Sequence, residues 1–221
     1  MNRSSKHAAW IVALFVLGAC PSCGLGVGSS PATHAGSISE LTLRKTDLPL
    51  GWSAKAAPRL DLDFGRLGLA LLSECFSGPD PATAPAVRSP TFSAPDLRIL
   101  RAFSLAIALP TARDANIMWH DVSAQGPRCF QKVEETIPAG IAKPVVRLKL
   151  PDRRAVAFRA DQIFHTNKGD ENQHIVYVAV SAGNGFSLLS FESAGKPFPL
   201  KIIQQAVTAM LARIGTPDRL S

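Results

Sequence analysis

The chain has 221 residues, 46% hydrophobic and 19% charged, a balance that suits one medium-sized folded domain with appendages and excludes a wholly disordered polymer. Gly 16, Pro 17 and Cys 4 exclude collagen-like and disulfide-dense classes, and a mean hydropathy of +0.12 is too low for a multi-span membrane protein. The net charge is +7, but Arg3 and Lys6 supply two of the cations and the rest are scattered, so no nucleic-acid partner is expected.

Residues 2 to 7 are polar and basic, and Ala8 to Ala19 is an unbroken apolar run. As a helix that run reaches about 18 Å, short of the roughly 30 Å hydrocarbon core of a bilayer. It reads as a secretory signal, not a membrane span. Leu17-Gly18-Ala19-Cys20 resembles the bacterial lipobox, in which small residues admit a peptidase and the cysteine thiol accepts a diacylglyceryl group. Cys20 is therefore the expected lipidation site, and two acyl chains would hold the protein stably on a membrane. An ordinary secretory signal would be cut at a later small residue such as Ala35, about fifteen residues beyond the run and farther than such cleavage usually lies. Cys23 lacks the preceding pattern. Residues 20–39 are rich in Gly, Ser, Pro and Ala and read as the lipidated cysteine with a flexible tether. Gly24-Leu25-Gly26-Val27-Gly28 has no strand before it or helix after it and is not a phosphate loop.

The domain is expected over 40–215, with 216–221 as a tail. Leu60, Phe64, Leu67, Leu71 and Cys75 form one stripe of an amphipathic helix. Pro79, Pro81, Pro85, Pro90 and Pro95 predict an extended surface loop. Leu97 to Leu109 alternates as a long strand. Thr111 and Asp114 are placed as a capping-box variant before Ala115, Met118, Trp119 and Val122. Gly126-Pro127 is expected to interrupt that helix, a second helix or turn then carrying Cys129, Phe130, Val133 and Ile137, with Glu134-Glu135 as an exposed end.

Strands follow at 145–150, 154–164, 175–180 and 186–191, the last two joined by Gly183-Asn184-Gly185. Pro199 opens a final helix with Leu200, Ile203, Val207, Met210, Leu211 and Ile214 on one stripe, stopped at Gly215 and Pro217. Consecutive strands bounded by helices argue for an α+β class, an antiparallel β-sheet with helices packed mainly on one face.

Outside the cytoplasm disulfides persist, and Cys75 and Cys129 are the only cysteines of the domain body, both on apolar helical stripes, so they are the expected bridge. Two buried free thiols are the alternative.

Leu43, Asp47-Leu48-Pro49-Leu50-Gly51-Trp52, Cys75, Ser89-Pro90-Thr91-Phe92 and Cys129, in this order, resemble the extracellular sensor-domain family of mycobacterial serine/threonine kinases and actinobacterial envelope lipoproteins. The resemblance spans about residues 40 to 214. It implies an antiparallel sheet with a cleft, flanked by helices, and a ligand-binding role without catalytic residues. Members often carry four cysteines where this domain has two, and a PsbP-like fold is structurally close.

His165, Asp170, Glu171 and His174 bear metal-friendly side chains, but a polar hairpin loop between strands accounts for the same residues, so no metal or cofactor is expected. His120-Asp121 diverge by about 100° on a helix. There is no Gly-x-Ser-x-Gly elbow, and no enzyme is expected. Trp52, Trp119 and Tyr177 suit either a cleft or a core. The functional expectation is a lipid-anchored, extracytoplasmic module in the cell membrane that binds a small amphiphile or glycan. The alternatives are a scaffold for another envelope protein and an envelope hydrolase. The oligomeric state is open.

Overall fold

The computed structural model describes residues 38–56, 73, 75–95, 100–136, 140–166 and 169–215. They all lie in the compact unit His34–Ser221. Cys20, Cys23, the apolar run, the tether up to residue 37, the tail and most of the expected helix on the Leu60–Cys75 stripe fall outside the described residues, while the last two tether positions, Ile38 and Ser39, open the first 3-10 turn. Among the described residues no helix is long and apolar enough to cross a membrane.

The described residues build one nine-stranded sheet in which every pairing among them is antiparallel. After two short 3-10 turns, Ile38–Leu41 and Lys45–Asp47, come β1 (Ser53–Lys55), β2 (Ala86–Arg88), β3 (Thr91–Ser93) and β4 (Arg101–Ala108). Helix α1 (Ala112–Glu135) leads to β5 (Gly140–Ala142), β6 (Val146–Leu148), β7 (Ala155–Thr166), β8 (Gly169–Ala182) and β9 (Gly185–Ala194), and helix α2 (Leu200–Ile214) closes the fold. The spatial order is β1-β3-β4-β9-β8-β7-β5, with β2 also on β4 and β6 also on β7. The α+β class with an antiparallel sheet is thus the observed architecture.

The two described α-helices divide between the faces of the sheet where the sequence reading places them mainly on one. Strand side chains alternate between faces, and here both sets are apolar. Ala102, Ala106, Ala157, Val176, Val178, Leu189 and Phe191 pack under Ile203, Val207, Met210 and Leu211 of α2. Leu105, Ile107, Val156, Phe158, Ala179 and Phe186 pack under Met118, Val122, Cys129 and Phe130 of α1. A sheet apolar on both sides leaves a large area wet unless each side receives a layer. The alanines Ala102, Ala106 and Ala157, buried on the α2 side, leave room between sheet and helix.

Helix α1 begins on the expected box: Thr111 Oγ1 accepts from the Asp114 N–H at 3.1 Å, and Asp114 Oδ2 accepts from the Thr111 N–H at 3.0 Å. It then runs unbroken through Gly126-Pro127, correcting the expected interruption. Proline lacks the N–H that would bond the carbonyl four residues back. That carbonyl, Ser123 O, accepts instead from Arg147 Nη1 at 2.9 Å. At Gly126 α1 closely approaches the sheet, since a Cβ there would overlap the outer ring atoms of Phe158. One turn on, Cys129 forms a disulfide with Cys75 across a Cα–Cα distance of 6.0 Å.

The residues behind the family resemblance have architectural roles. Leu43, Leu48, Trp52 and Phe92 enter the α2-side core. Gly51 adopts φ +91°, a left-handed turn that favours glycine. The buried Asp47 carboxylate accepts the Arg44 N–H at 2.8 Å and is ion-paired with Arg213 Nη1, while Arg213 Nη2 donates to Thr42 O at 2.8 Å. The last turn of α2 is so tied to the first described segment. The proline-rich stretch is more ordered than a surface loop: it carries β2 and β3, bent at Ser89-Pro90. Buried Ser89 Oγ accepts from the Ser104 N–H at 2.9 Å, and Ser104 Oγ accepts from the Leu43 N–H at 2.7 Å.

Replacing both bridge cysteines, Cys75→Ser with Cys129→Ser, removes the constraint on a 54-residue separation. Urea unfolding should then show a loss of about 4 kcal/mol; an unchanged midpoint would refute a structural disulfide. Gly126→Ala should cost about 1–3 kcal/mol by overpacking against Phe158, measured the same way, and a neutral result would mean that helix and sheet separate freely there.

Candidate functional site

The polar segment expected as a loop between 164 and 175 is mostly sheet. β7 and β8 pair from Ala155↔Val180 to Thr166↔Gly169, so the connection shrinks to the tip of a hairpin. The correction follows from backbone economy: each added pair satisfies groups that a long loop would leave to water. The four metal-friendly residues are spread along this ladder. His165 Nδ1 lies 2.6 Å from Asp170 Oδ1 at the exposed tip. His174 Nδ1 lies 2.7 Å from Asp161 Oδ1 farther down. Glu171 faces the other side of the sheet, opposite Phe164. No group of three His, Cys, Asp or Glu that could hold a metal occurs among the described residues.

The hairpin runs past the end of α1, and there the α1 face turns polar. Glu134, expected as part of an exposed helix end, is only 1% exposed. Its carboxylate accepts from Tyr177 Oη at 2.6 Å and from Gln162 Nε2. The Tyr177 ring stacks on Phe130 with centroids 4.5 Å apart, which fixes the hydroxyl under the helix end. Loss of hydration raises the Glu134 carboxyl above the ordinary glutamate range, opposed by the Tyr177 hydrogen bond and aided by the charge of Glu192. Burial and the Glu134 carboxylate push the Tyr177 phenol well up. Gln162 Oε1 is buried without a hydrogen-bond partner.

Beside this cluster is an open groove of about 330 Å³, walled by Arg101 of β4, Phe164 of β7, Glu171 and Gln173 of β8, and Glu192 of β9. The register places these residues on the α1 face, with Arg101 opposite Glu192 and Gln162 opposite Gln173. Arg101 Nε lies 3.9 Å from Glu192 Oε2, a loose ion pair. Carboxylates, an amide and a guanidinium thus surround one aromatic ring. This set can hydrogen-bond several hydroxyl or amine groups while the ring covers an apolar face of the same ligand. Sequence reading missed Arg101, Phe164, Gln173 and Glu192. Their even spacing along strands was visible, but the distance by which the hairpin outruns α1 was not.

On the opposite face Asp161, His174 and Ser193 stand in register across β7, β8 and β9. His174 Nε2 and Ser193 Oγ are both buried and have no hydrogen-bond partner, so the hydroxyl is not activated in this arrangement. Ser193 and Lys196 do have Ser-x-x-Lys spacing, a pair that the sequence reading takes to be absent. A turn at Gly195, φ +75°, lies between them; Lys196 is exposed while Ser193 is buried.

Elsewhere, Trp52 belongs to the core, 6.1 Å from the Phe198 ring, and Trp119 is half-buried, packed against the α1-side core. His120 is exposed, whereas Asp121 Oδ2 accepts the Ser77 N–H at 2.6 Å.

A carboxyl whose folded-state pKa is raised favours the protonated protein, so its contribution is full below the unfolded value and fades as pH climbs through the folded one. The wild-type chain should lose stability as pH rises above about 4.3, the unfolded glutamate value. Glu134→Gln should flatten this part of a stability–pH curve measured by urea unfolding; equal slopes would contradict the assigned burial.

No family model matches the chain, and no curated protein matches it. The similar solved structures include two from bacteria. The first is LpqN, involved in cell envelope biogenesis of Mycobacterium tuberculosis, with 8% identity, TM-score 0.38, and coverage of 75% of this chain and 76% of that one. The second is PA94 of Pseudomonas aeruginosa, a suggested regulator of unknown function, with 11% identity, TM-score 0.29, and coverage of 62% and 85%.

Proposed function

We propose that the protein is a non-catalytic, extracytoplasmic module, lipid-anchored through Cys20, that binds a hydroxyl-rich small ligand such as a glycan fragment in the groove beyond α1. The observation that carries this reading is the groove's lining: Glu171, Glu192, Gln173 and Arg101 around the single ring of Phe164. Sugars are held by such sets, with carboxylates and amides taking hydroxyl groups and a ring taking the C–H face. An acyl chain would instead call for a continuous apolar cavity, and the apolar surfaces on both sides of the sheet are already packed against α1 and α2. The anchor rests on Leu17-Gly18-Ala19-Cys20.

One observation favours the scaffolding alternative. Ile141 and Val146, on the edge strands β5 and β6, are 54% and 41% exposed, and edge strands with apolar side chains can receive a partner.

Native mass spectrometry of the full-length chain purified from its own host tests the ligand. A bound species with the mass of a saccharide, absent from Phe164→Ala, is expected. An acylated species would point to the amphiphile, and an empty protein to the scaffold. For the anchor, Cys20→Ala should move the protein from the detergent phase to the aqueous phase on Triton X-114 partition. Unchanged partition would remove the lipidation assignment.

A further inference from the structure

A second groove, of about 270 Å³, lies between α1 and the edge of the sheet at β6. Trp119 and Ser123 form its helix wall, and Arg147, Lys149 and Arg153 line the other. Lys149 and Arg153 are exposed, and neither is ion-paired among the described residues. The nearby carboxylate, Asp152, is already engaged: its Oδ2 lies 2.8 Å from Arg154 Nη2 and its Oδ1 accepts from Arg154 Nε at 3.2 Å. The hydrogen bond from Arg154 holds the Asp152 carboxyl below its usual range. Arg147 is pinned over the groove by its bond to Ser123 O. The Ser123 hydroxyl is buried and has no hydrogen-bond partner.

Three cations and a half-buried indole therefore line one concavity, with the nearby carboxylate already paired. Guanidinium and ammonium groups bind phosphate oxygens by charge-assisted hydrogen bonds. A tryptophan at the rim suits the headgroup level of a bilayer, where an amphipathic ring meets polar and apolar surroundings together. We propose that this groove is a phosphate site that takes the headgroup of an anionic phospholipid and so lays the α1–β6 edge of the domain against the membrane. The site is distinct from the groove at the hairpin end. It does not depend on lipidation of Cys20, so either assignment can fail alone.

The test is sedimentation of the full-length chain with vesicles of phosphatidylglycerol in phosphatidylcholine, against vesicles of phosphatidylcholine alone. The preference for the anionic vesicles should fall by about thirtyfold in Lys149→Ala with Arg153→Ala. It should survive in Lys196→Ala with Lys201→Ala, which removes two exposed cations elsewhere. Urea unfolding of both double variants confirms that they fold. Single Lys149→Ala and Arg153→Ala variants, each with a smaller loss, keep the test open if the double one does not. Equal losses in the two pairs would overturn the proposal in favour of diffuse charge attraction. Saturation by soluble glycerol phosphate without any vesicle preference would overturn the membrane assignment in favour of a free phosphate ligand.

Discussion

Burial of both faces of β7, β8 and β9 is the constraint on which the rest of the structure depends. Val176 and Val178 face α2 while Ala179 and Tyr177 face α1, so neighbouring residues of one strand belong to different cores. Neither helix can be lost without wetting an apolar face. Polar chemistry is thereby displaced from the middle of the sheet to its margins. The groove by Phe164 exists because the β7–β8 hairpin continues beyond the last turn of α1. The basic groove exists because α1 crosses the edge at β6.

Helix α1 links these features. Its continuity through Gly126-Pro127 brings Trp119 and Ser123 to one groove and Glu134 to the other. Arg147 stabilises that continuity by satisfying the carbonyl that Pro127 leaves open. The Cys75–Cys129 bridge ties the core-facing side of the same helix to the segment at Cys75, and Gly126 lets it settle against Phe158. At the opposite face the buried Asp47–Arg213 pair joins the end of α2 to the first described segment. Removing one partner of such a pair strands a charge in a dry site and costs about 3–5 kcal/mol.

What was legible in the sequence was local. The Thr111–Asp114 box, the stripe from Ile203 to Leu211 and the turn at Gly183-Asn184 each depend on residues within a few positions of one another. The alternation of β4 was also legible, although its second face, Ala102, Ser104 and Ala106, is buried as fully as the first. What was not legible depended on distant partners. Pro127 signals a break unless Arg147 is known to lie beside Ser123. Glu134 looks like a solvated end unless Tyr177 and Gln162 are known to meet it. The proline-rich stretch hides two strands because Ser89 finds Ser104 only once β4 is in place. The candidate site was half visible: Glu171 was singled out for a metal, while Phe164 and Glu192 could be joined to it only through strand register.

The central claim is that the middle of the sheet beneath the helices is core and that saccharide recognition belongs to the hairpin end beyond α1. Hydrogen exchange of the full-length chain, compared as purified from its host and after stripping by unfolding and refolding, tests it most directly. The account predicts that added protection in the host-purified form is confined to peptides covering 162–174 and 192–194. A difference centred on 175–191, or none at all, would contradict it.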